Sequence, residues 1–229
     1  MEVIILAGGF GARLKKEVPN LPKPMAPVAG QPFLEILLKS LSKKGFLRII
    51  LSLGYMSEKI VNYFGDNFLG MDLIYVIEDK PLGTGGAIRK SLKKCNNDHV
   101  LVLNGDTFID IDVQGIEEQW QENNVPIIVA CSVPDTSRYG RLEINDRRVT
   151  GFSEKDMAGR GLINAGCYLL PTNLLERYSE GKNFSFETDF LYDALNKYRF
   201  DCFMSQSVFI DIGVPEDFER AQTLPQLQV

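Results

Sequence analysis

The alternation of strand-like and helix-like segments in the first half of the chain constrains the fold more than any other feature. Apolar runs of strand length alternate with segments whose apolar residues recur at helical spacing. Because strands joined by helices form right-handed crossovers, this order predicts a mostly parallel sheet with helices on its faces. The predicted strands are 2–7, 47–53, 73–77 and 100–103, and the predicted helices are 32–44, 57–64 and about 84–94.

The second half of the chain has a different pattern, which begins after Trp120. Strand-like runs with short polar breaks are followed by a helical segment, a longer apolar run and a last helix. We expect these strands to extend the sheet within the same domain and to cover one side of the first half. The expected strands are 127–133, 140–144, 148–153, 162–170 and 202–212, and the expected helices are about 187–197 and a segment from about 216.

The composition is that of an ordinary globular protein. The chain has 229 residues, of which 45% are hydrophobic and 24% charged, which suits one large α/β domain. A net charge of −5 disfavours a general nucleic-acid surface, and no apolar stretch is long enough to span a membrane. The four cysteines show no CxxC spacing, so we expect reduced thiols and a cytoplasmic protein without nucleic-acid or membrane partners.

Three glycines follow the first predicted strand, at Gly8, Gly9 and Gly11. Ligands of open α/β sheets bind at the carboxyl ends of the strands, so this loop lies where a ligand is expected. The glycines leave backbone N–H groups free to approach an anion, and Arg13 adds a planar group that suits phosphate oxygens. A tight turn or a dinucleotide-binding loop would explain the glycines nearly as well, although Leu14 stands where that fingerprint needs a third small residue.

Three charged side chains complete the candidate site. Lys23 lies between two prolines, which limit its backbone freedom and present its ammonium at low entropic cost. Asp106 and Asp211 each stand at the end of an apolar run, where two carboxylates suit a divalent metal ion that bridges phosphate oxygens. Each residue has an ordinary alternative, which is an exposed loop position for the lysine and a turn or helix cap for either aspartate.

These motifs and several others occur in one order along residues 3–218. The set is Leu6-Ala7-Gly8-Gly9-x-Gly11-x-Arg13-Leu14, Lys23-Pro24, Pro81-Leu82-Gly83-Thr84-Gly85-Gly86, Asn104-Gly105-Asp106, Phe152-x-Glu154-Lys155, Asn164-Ala165-Gly166 and Asp211-Ile212-Gly213-x-Pro215-Glu216-Asp217. Each motif is weak alone, but the ordered set closely resembles the sugar-1-phosphate nucleotidyltransferase family. The run Leu21-Pro-Lys-Pro-Met-Ala-Pro-Val is similar to the branch of that family that activates D-glycero-D-manno-heptose 1-phosphate with GTP.

The resemblance implies a fold and a reaction. The fold is α/β, a Rossmann-like mixed, mostly parallel sheet flanked by helices, with a sugar-binding sheet extension. Residues 1–229 would form one domain, in which about 1–120 bind the nucleotide and about 121–229 bind the sugar. The reaction is nucleotidyl transfer from GTP to a sugar 1-phosphate with Mg²⁺ as cofactor, and the resemblance is compatible with a homodimer.

The resemblance also assigns roles to individual residues. The catalytic residues would be Arg13, Lys23, Asp106 and Asp211, with the two aspartates as Mg²⁺ ligands. The nucleotide would be bound by Leu6, Ala7, Gly8, Gly9, Gly11, Arg13, Lys23, Glu78, Gly83, Thr84 and Gly105. The sugar phosphate would be bound by Tyr139, Gly140, Glu154, Lys155, Asn164 and Gly166. The chain departs from the family at Ala12, where a threonine is usual and a hydroxyl is therefore missing from the phosphate loop.

Glu78 is expected to read the nucleotide base. A carboxylate accepts hydrogen bonds from both N1–H and the N2 amine of guanine, an arrangement that cytosine and adenine cannot copy. Uracil offers a single N–H, so guanine is favoured and uracil comes second. The structural alternative is a solvated glutamate at the end of a strand.

The choice of heptose depends on the branch resemblance alone. Mannose 1-phosphate with GTP, or uridylyl or thymidylyl transfer within the same family, remain the alternatives. Two other classes of protein compete, a nicotinamide-dependent dehydrogenase and a non-catalytic sensor of nucleotide-sugars. Leu14 disfavours the dehydrogenase, and the presence of Arg13, Lys23 and both aspartates disfavours the sensor.

Overall fold

A computed structural model of the chain describes residues 1–9, 18–139, 141–153 and 159–228. The strands are β1 (Glu2–Ala7), β2 (Pro27–Val28), β3 (Gln31–Pro32), β4 (Arg48–Leu53), β5 (Asn67–Phe68), β6 (Met71–Ile77), β7 (His99–Asn104), β8 (Thr107–Ile109), β9 (Ile127–Val133), β10 (Arg141–Asn145), β11 (Arg148–Ser153), β12 (Gly161–Pro171), β13 (Asp201–Ser205) and β14 (Phe209–Asp211). The α-helices are α1 (Phe33–Lys43), α2 (Ser57–Phe64), α3 (Gly83–Leu92), α4 (Val113–Asn123), α5 (Tyr192–Ala194) and α6 (Pro215–Ala221). A π-helix spans Phe186–Leu191, and short 3₁₀ turns span Lys23–Met25 and Pro225–Leu227.

The main sheet has the strand order β10-β11-β13-β9-β12-β7-β1-β4-β6-β5. Its centre is parallel, because β1 pairs in parallel with both β4 and β7, and β4 pairs in parallel with β6. Strand β12 then pairs antiparallel with β7 and β9, and β13 runs parallel to β9. The predicted α/β fold with a mixed sheet and a sheet extension is therefore confirmed.

Both faces of the central strands are covered. Val3, Ile4 and Ile5 have no exposed surface. Val3 and Ile5 belong to the core on the α1 face, whereas Ile4 packs in a second core that includes Ile88 and Leu92 of α3. A strand that is buried on both faces has a continuous apolar sequence, which explains why the predicted bounds of β1 match the structure.

Two sequence predictions about local structure are wrong, and one helix was not predicted. The run 202–212, predicted as one strand, forms β13 in the main sheet and β14 in a separate pair with β8. The helix predicted over about 187–197 is a π-helix followed by the short α5, and the turn begins where the Ser185 hydroxyl accepts from Thr188 N at 3.1 Å. Helix α4 was not predicted, although the Asp112 side chain caps it by accepting from Gly115 N at 3.0 Å.

Two further observations concern side chains away from the sheet edge. The four cysteines are free thiols, and burial raises the pKa of Cys95 and of Cys131 to about 12. His99 begins β7 with one ring nitrogen 2.6 Å from Asp98 and the other 3.0 Å from Glu117, and its ring stacks on Trp120.

In the described part of the chain, no helix is long and apolar enough to cross a membrane.

Candidate active site

A cavity of about 290 Å³ opens at the carboxyl ends of β1, β6 and β7. The predicted site residues that line it are Leu6, Ala7, Gly8, Gly9, Lys23, Glu78, Gly83, Thr84, Gly105 and Asp106. Pro24, Ser52, Pro81, Ala87 and Asn104 complete the lining. The nucleotide-side residues that the sequence predicted and the structure describes therefore surround one cavity.

Gly105 brings the ends of β1 and β7 together. Its N–H donates to the Leu6 carbonyl at 2.9 Å. A Cβ at position 105 would lie 2.8 Å from that carbonyl oxygen, too close for any side chain to fit. The glycine is therefore required by the close approach of the two strands, which places Asp106 at the edge of the cavity.

Three predicted charged residues meet beside the cavity. The Lys23 ammonium contacts the Asp106 carboxylate directly, and it lies 4.0 Å from Oδ1 of Asp211. The side chains are 11%, 32% and 18% exposed for Lys23, Asp106 and Asp211, so solvent screens this group only partly. Two acidic residues from distant parts of the sequence thus share one cation.

The pairing of β8 with β14 produces this arrangement. Asp211 lies opposite Thr107 in the pair, and Ile212 N donates to the Asp106 carbonyl at 3.0 Å. Gly213 N donates to Asp211 Oδ1 at 2.7 Å, which holds the carboxylate in place. The two strand ends that carry the aspartates are therefore side by side, although the residues are far apart in sequence.

Lys23 is presented by a short 3₁₀ turn that follows Pro22. Met25 N donates to the Pro22 carbonyl at 2.8 Å, and Ala26 N donates to the Lys23 carbonyl at 3.0 Å. Pro24 and Met25 are buried, so the backbone around the lysine is anchored in the core. This fixed backbone is the local structure that the Pro-Lys-Pro sequence predicted.

Glu78 follows β6 and lines the same cavity as Lys23 and Asp106. Its Oε2 accepts from Leu82 N at 2.9 Å, while Oε1 faces Gly8, where a Cβ would lie 3.2 Å away. Burial raises the pKa of Glu78 above its ordinary value. The Leu82 N–H, followed by the charge of Lys90 and the Ser52 hydroxyl, offsets only part of this effect. The carboxylate is therefore partly desolvated and held beside the cavity.

A chain of hydrogen bonds connects the nucleotide side to the second half of the protein. The Thr84 hydroxyl donates to Glu187 Oε2 at 2.7 Å and accepts from Phe186 N at 2.8 Å. The other oxygen of Glu187 accepts from the buried Tyr168 hydroxyl at 3.1 Å. Asn164 Nδ2 donates to the Tyr168 hydroxyl at 2.7 Å, so the chain reaches a predicted sugar-binding residue.

Asn164 and Gly166 lie in a bulge of β12. Between Asn164 and Tyr168 the strand advances four residues while its partner β9 advances two, from Ala130 to Ile128. Gly166 has a φ of +65° within this bulge, and its N–H donates to Asn164 Oδ1 at 3.0 Å. A Cβ at position 166 would lie 2.2 Å from the side-chain nitrogen of Asn104, which lines the cavity. The bulge therefore abuts the cavity.

Tyr139 lies close to α6 and to the aspartate pair. Its hydroxyl is 3.5 Å from Asp217 Oδ2, and its ring packs edge-on against Phe209. Burial, with the charges of Asp217 and Asp211, raises the pKa of Tyr139 to about 12. Asp217 is buried and also pairs with Arg138 at 3.3 Å, so this predicted sugar-side tyrosine belongs to a charged cluster next to Asp211.

Five predicted site residues lie outside the described part of the chain. They are Gly11, Arg13, Gly140, Glu154 and Lys155, together with Ala12, the position at which the chain departs from the family pattern. Their predicted roles stay predictions.

Sequence reasoning assigned no role to Ser52, Tyr168, Glu187 or Gly213. Ser52 looked like one polar residue in the apolar strand β4, and only its position on the cavity wall distinguishes it. Tyr168 follows the Asn164 motif by four residues, but β12 is irregular there, so a regular strand period could not place it. Gly213 was part of a quoted motif without a role, and its lack of space for a side chain is visible only in the structure.

These features define a class of protein, and comparison with known proteins agrees. The chain belongs to the nucleotidyl transferase family, whose model matches residues 2–226, as the sequence motifs predicted. The protein is therefore a nucleotidyltransferase.

The comparisons also identify individual relatives. The chain is 41% identical over 223 residues to D-glycero-alpha-D-manno-heptose 1-phosphate guanylyltransferase of Aneurinibacillus thermoaerophilus, covering 97% of each chain. It is 42% identical over 220 residues to the protein of the same name from Campylobacter jejuni, covering 95% of this chain and 97% of that one. HddC from Yersinia pseudotuberculosis, solved as a complex with GMP-PN, matches with a TM-score of 0.86 and 40% identity, over 96% of this chain and 97% of that one.

Proposed function

We propose that this protein transfers a guanylyl group from GTP to D-glycero-α-D-manno-heptose 1-phosphate, forming GDP-heptose and pyrophosphate. The observation that carries the reaction type is the meeting of Lys23, Asp106 and Asp211 at the edge of the cavity. The guanine preference is supported by Glu78 on the cavity wall, and the choice of heptose is supported by the names of the relatives at about 40% identity.

The proposed reaction is an in-line displacement at the α-phosphorus of GTP. An oxygen of the sugar phosphate forms the new P–O bond, and the bond to the β-phosphate breaks, so that pyrophosphate leaves with the electron pair. A sugar phosphate is already an anion near neutral pH, so no general base is required. Catalysis then depends on positioning and on neutralising phosphate charge.

The residues of this chain provide that neutralisation. The Lys23 ammonium lies beside the cavity, where it can approach the α- and β-phosphate oxygens. The backbone at Gly8 and Gly9 borders the same space, and we assign Arg13 to the same phosphates. The same ammonium neutralises charge on the two aspartates.

The same two aspartates fit a Mg²⁺ ion. Both present hard carboxylate oxygens close to one cation, which is the donor type that Mg²⁺ prefers. We propose that Asp106 and Asp211 would hold the ion. When bound, Mg²⁺ neutralises charge on the phosphate oxygens.

The second half of the chain is proposed to bind the sugar phosphate. Tyr139, Asn164 and Gly166 lie next to the aspartates or the cavity wall, which supports this division of one domain into a nucleotide part and a sugar part. Glu154 and Lys155 are assigned to the sugar hydroxyls and to its phosphate. A cytoplasmic location and a homodimer stay predictions.

Pyrophosphate release tests the proposed function. Initial rates are measured for GTP, UTP, dTTP and ATP, each combined with heptose 1-phosphate, mannose 1-phosphate and glucose 1-phosphate at saturating Mg²⁺. We expect the highest kcat/KM for GTP with the heptose. A preference for mannose would replace the proposed sugar, and a preference for UTP or dTTP would overturn the proposed base.

Glu78→Gln tests the base assignment separately. The amide replaces one acceptor by a donor, so one guanine N–H would face an NH₂ group. An unpaired polar group in a closed pocket costs about 1–3 kcal/mol, or roughly one to two decades in kcat/KM for GTP. The kcat/KM for UTP should fall less, because uracil has a single N–H between two carbonyls and a carbonyl can accept from the new NH₂ group. An unchanged ratio of GTP to UTP efficiency would show that Glu78 does not read the base.

A further inference from the structure

Ser52 is a buried serine whose hydroxyl has no hydrogen-bond partner among the described residues. It lies in β4 between the apolar Leu51 and Leu53, opposite Leu6 of β1 and Val76 of β6, and is 1% exposed. A buried hydroxyl without a partner is destabilising, so a protein seldom keeps one without a reason.

The position of this hydroxyl suggests the reason. Ser52 lines the cavity together with Leu6, Ala87 and Glu78. Its hydroxyl acts as a weak donor to Glu78 and helps to lower the pKa of that carboxylate, although the two groups do not meet the geometry of a full hydrogen bond. The wall thus carries a carboxylate acceptor and, next to it, a hydroxyl that can donate or accept.

We propose that Ser52 is a specificity-determining residue for the nucleotide base, and that its hydroxyl forms a hydrogen bond to the polar edge of guanine beside Glu78. This inference rests on the proposed use of GTP. The carboxylate alone matches the two adjacent donors of guanine, but the same edge also carries an acceptor oxygen. A neighbouring hydroxyl can donate to that oxygen, whereas an apolar residue at this position would leave the oxygen without a hydrogen-bond partner.

The proposal predicts opposite effects on stability and on binding. The hydroxyl has no full hydrogen bond to any of the described residues, so Ser52→Ala removes a desolvated group and should leave the melting temperature unchanged or raise it. With GTP bound the same change removes a hydrogen bond, so affinity should fall. A serine with a purely structural role would behave in the reverse way.

Ser91 provides a matched control. Its hydroxyl is the other buried side-chain oxygen without a partner in the described ranges, and it lies in α3 with no exposed surface. It does not line the cavity. Ser91→Ala is therefore the same chemical change in a similar environment, without access to the base.

The experiment is isothermal titration calorimetry of wild type, Ser52→Ala and Ser91→Ala with GTP and with UTP, in Mg²⁺ and without sugar phosphate. A net hydrogen bond of about 0.5–1.5 kcal/mol corresponds to a GTP Kd about 2- to 12-fold weaker for Ser52→Ala. We expect a smaller change for UTP, no change for Ser91→Ala, and no loss of melting temperature in either variant. If Ser52→Ala unfolds, Ser52→Cys keeps the shape of the side chain with a somewhat larger atom and a much weaker donor, and it should show the same loss of GTP affinity.

Two outcomes would overturn the inference. One is GTP affinity in the Ser52 variants equal to that of wild type, and the other is an equal loss in Ser91→Ala. A wild-type protein that binds UTP as tightly as GTP would instead contradict the proposed function, so the two failures are distinguishable.

Discussion

Replacing Gly213 with alanine would place a methyl group against the charged centre of the site. The new Cβ would lie 2.1 Å from the Lys23 ammonium and 2.7 Å from Asp211 Oδ1. Gly213 does not have a positive φ, so the backbone accepts alanine and the effect is purely steric. To reach ordinary contact distance the ammonium must move by roughly 1.5 Å, which disturbs its contact with the Asp106 carboxylate.

If Lys23 has the proposed catalytic role, a displacement of this size is expected to be costly. A misplacement of about 1 Å can reduce the rate by about 10²-fold, which corresponds to about 2.7 kcal/mol of transition-state stabilisation. Asp211 must also move, because the added carbon lies as close to its Oδ1 as the Gly213 N–H does. Lys23 has a flexible side chain, so we expect the loss of stability to be only about 1 kcal/mol.

The assay is pyrophosphate release with GTP and heptose 1-phosphate at saturating Mg²⁺, together with thermal unfolding of the free protein. Gly151→Ala is the matched control, because its Cβ meets only the end of the exposed Glu143 side chain at 3.0 Å. The reasoning is refuted if Gly213→Ala keeps kcat/KM within threefold of wild type, or if Gly151→Ala loses as much activity.

Three other predictions follow from the described contacts. Asp106→Asn and Asp211→Asn should each slow turnover by about two orders of magnitude or more at saturating Mg²⁺, and near-normal turnover in either would remove that residue from the proposed metal site. Tyr168→Phe removes the hydroxyl that Asn164 and Glu187 share, so the free energy of unfolding should fall by about 1–3 kcal/mol. The KM for the sugar phosphate should also rise more than the KM for GTP, and equal changes in both KM values would contradict this. Burial raises the pKa of Glu117, but hydrogen bonds from neighbours including His99 lower it by more than burial raises it. The pKa of Glu117 therefore lies below its ordinary value of 4.5. The ionised Glu117 side chain therefore stabilises the fold above pH 4.5, and this stabilisation is lost as the pH falls through the lower pKa of the folded protein. The difference in melting temperature between wild type and Glu117→Gln should shrink in acid. A difference that stays constant with pH would show that the interaction is absent.

Much of the fold was predictable because burial on both faces leaves a clear mark on the sequence. The bounds of β1, α2, β9 and β11 match their predictions, since apolar runs and helical spacing end there at polar residues or glycines. The run 202–212 was misjudged because its two apolar ends belong to different sheets, and the polar residues between β13 and β14 mark the break. Helix α4 left a signal that was overlooked, with apolar residues at Val113, Ile116 and Trp120 behind a capping aspartate.

The site was predictable to a different degree. The strand-end rule placed Asp106 and Asp211 at the ligand-binding edge as a candidate pair, but it could not show that their two strand ends meet, because sequence separation carries no information on which strands are neighbours. Ser52 and Glu187 escaped because their importance depends on what surrounds them. A serine in an apolar strand and a glutamate in a helix are common, and neither has a distinctive spacing.

The pairing of β14 with β8 determines when, during synthesis, the protein can become active. Lys23, Asp106 and the strands around the cavity emerge from the ribosome well before Asp211, and a chain can begin to fold while its end is still being made. Contacts between segments far apart in sequence form late, so the nascent chain carries the cavity with a single aspartate beside the lysine. Any product that terminates before Phe209 would therefore lack Asp211, one of the two proposed metal ligands, and we expect it to have no turnover.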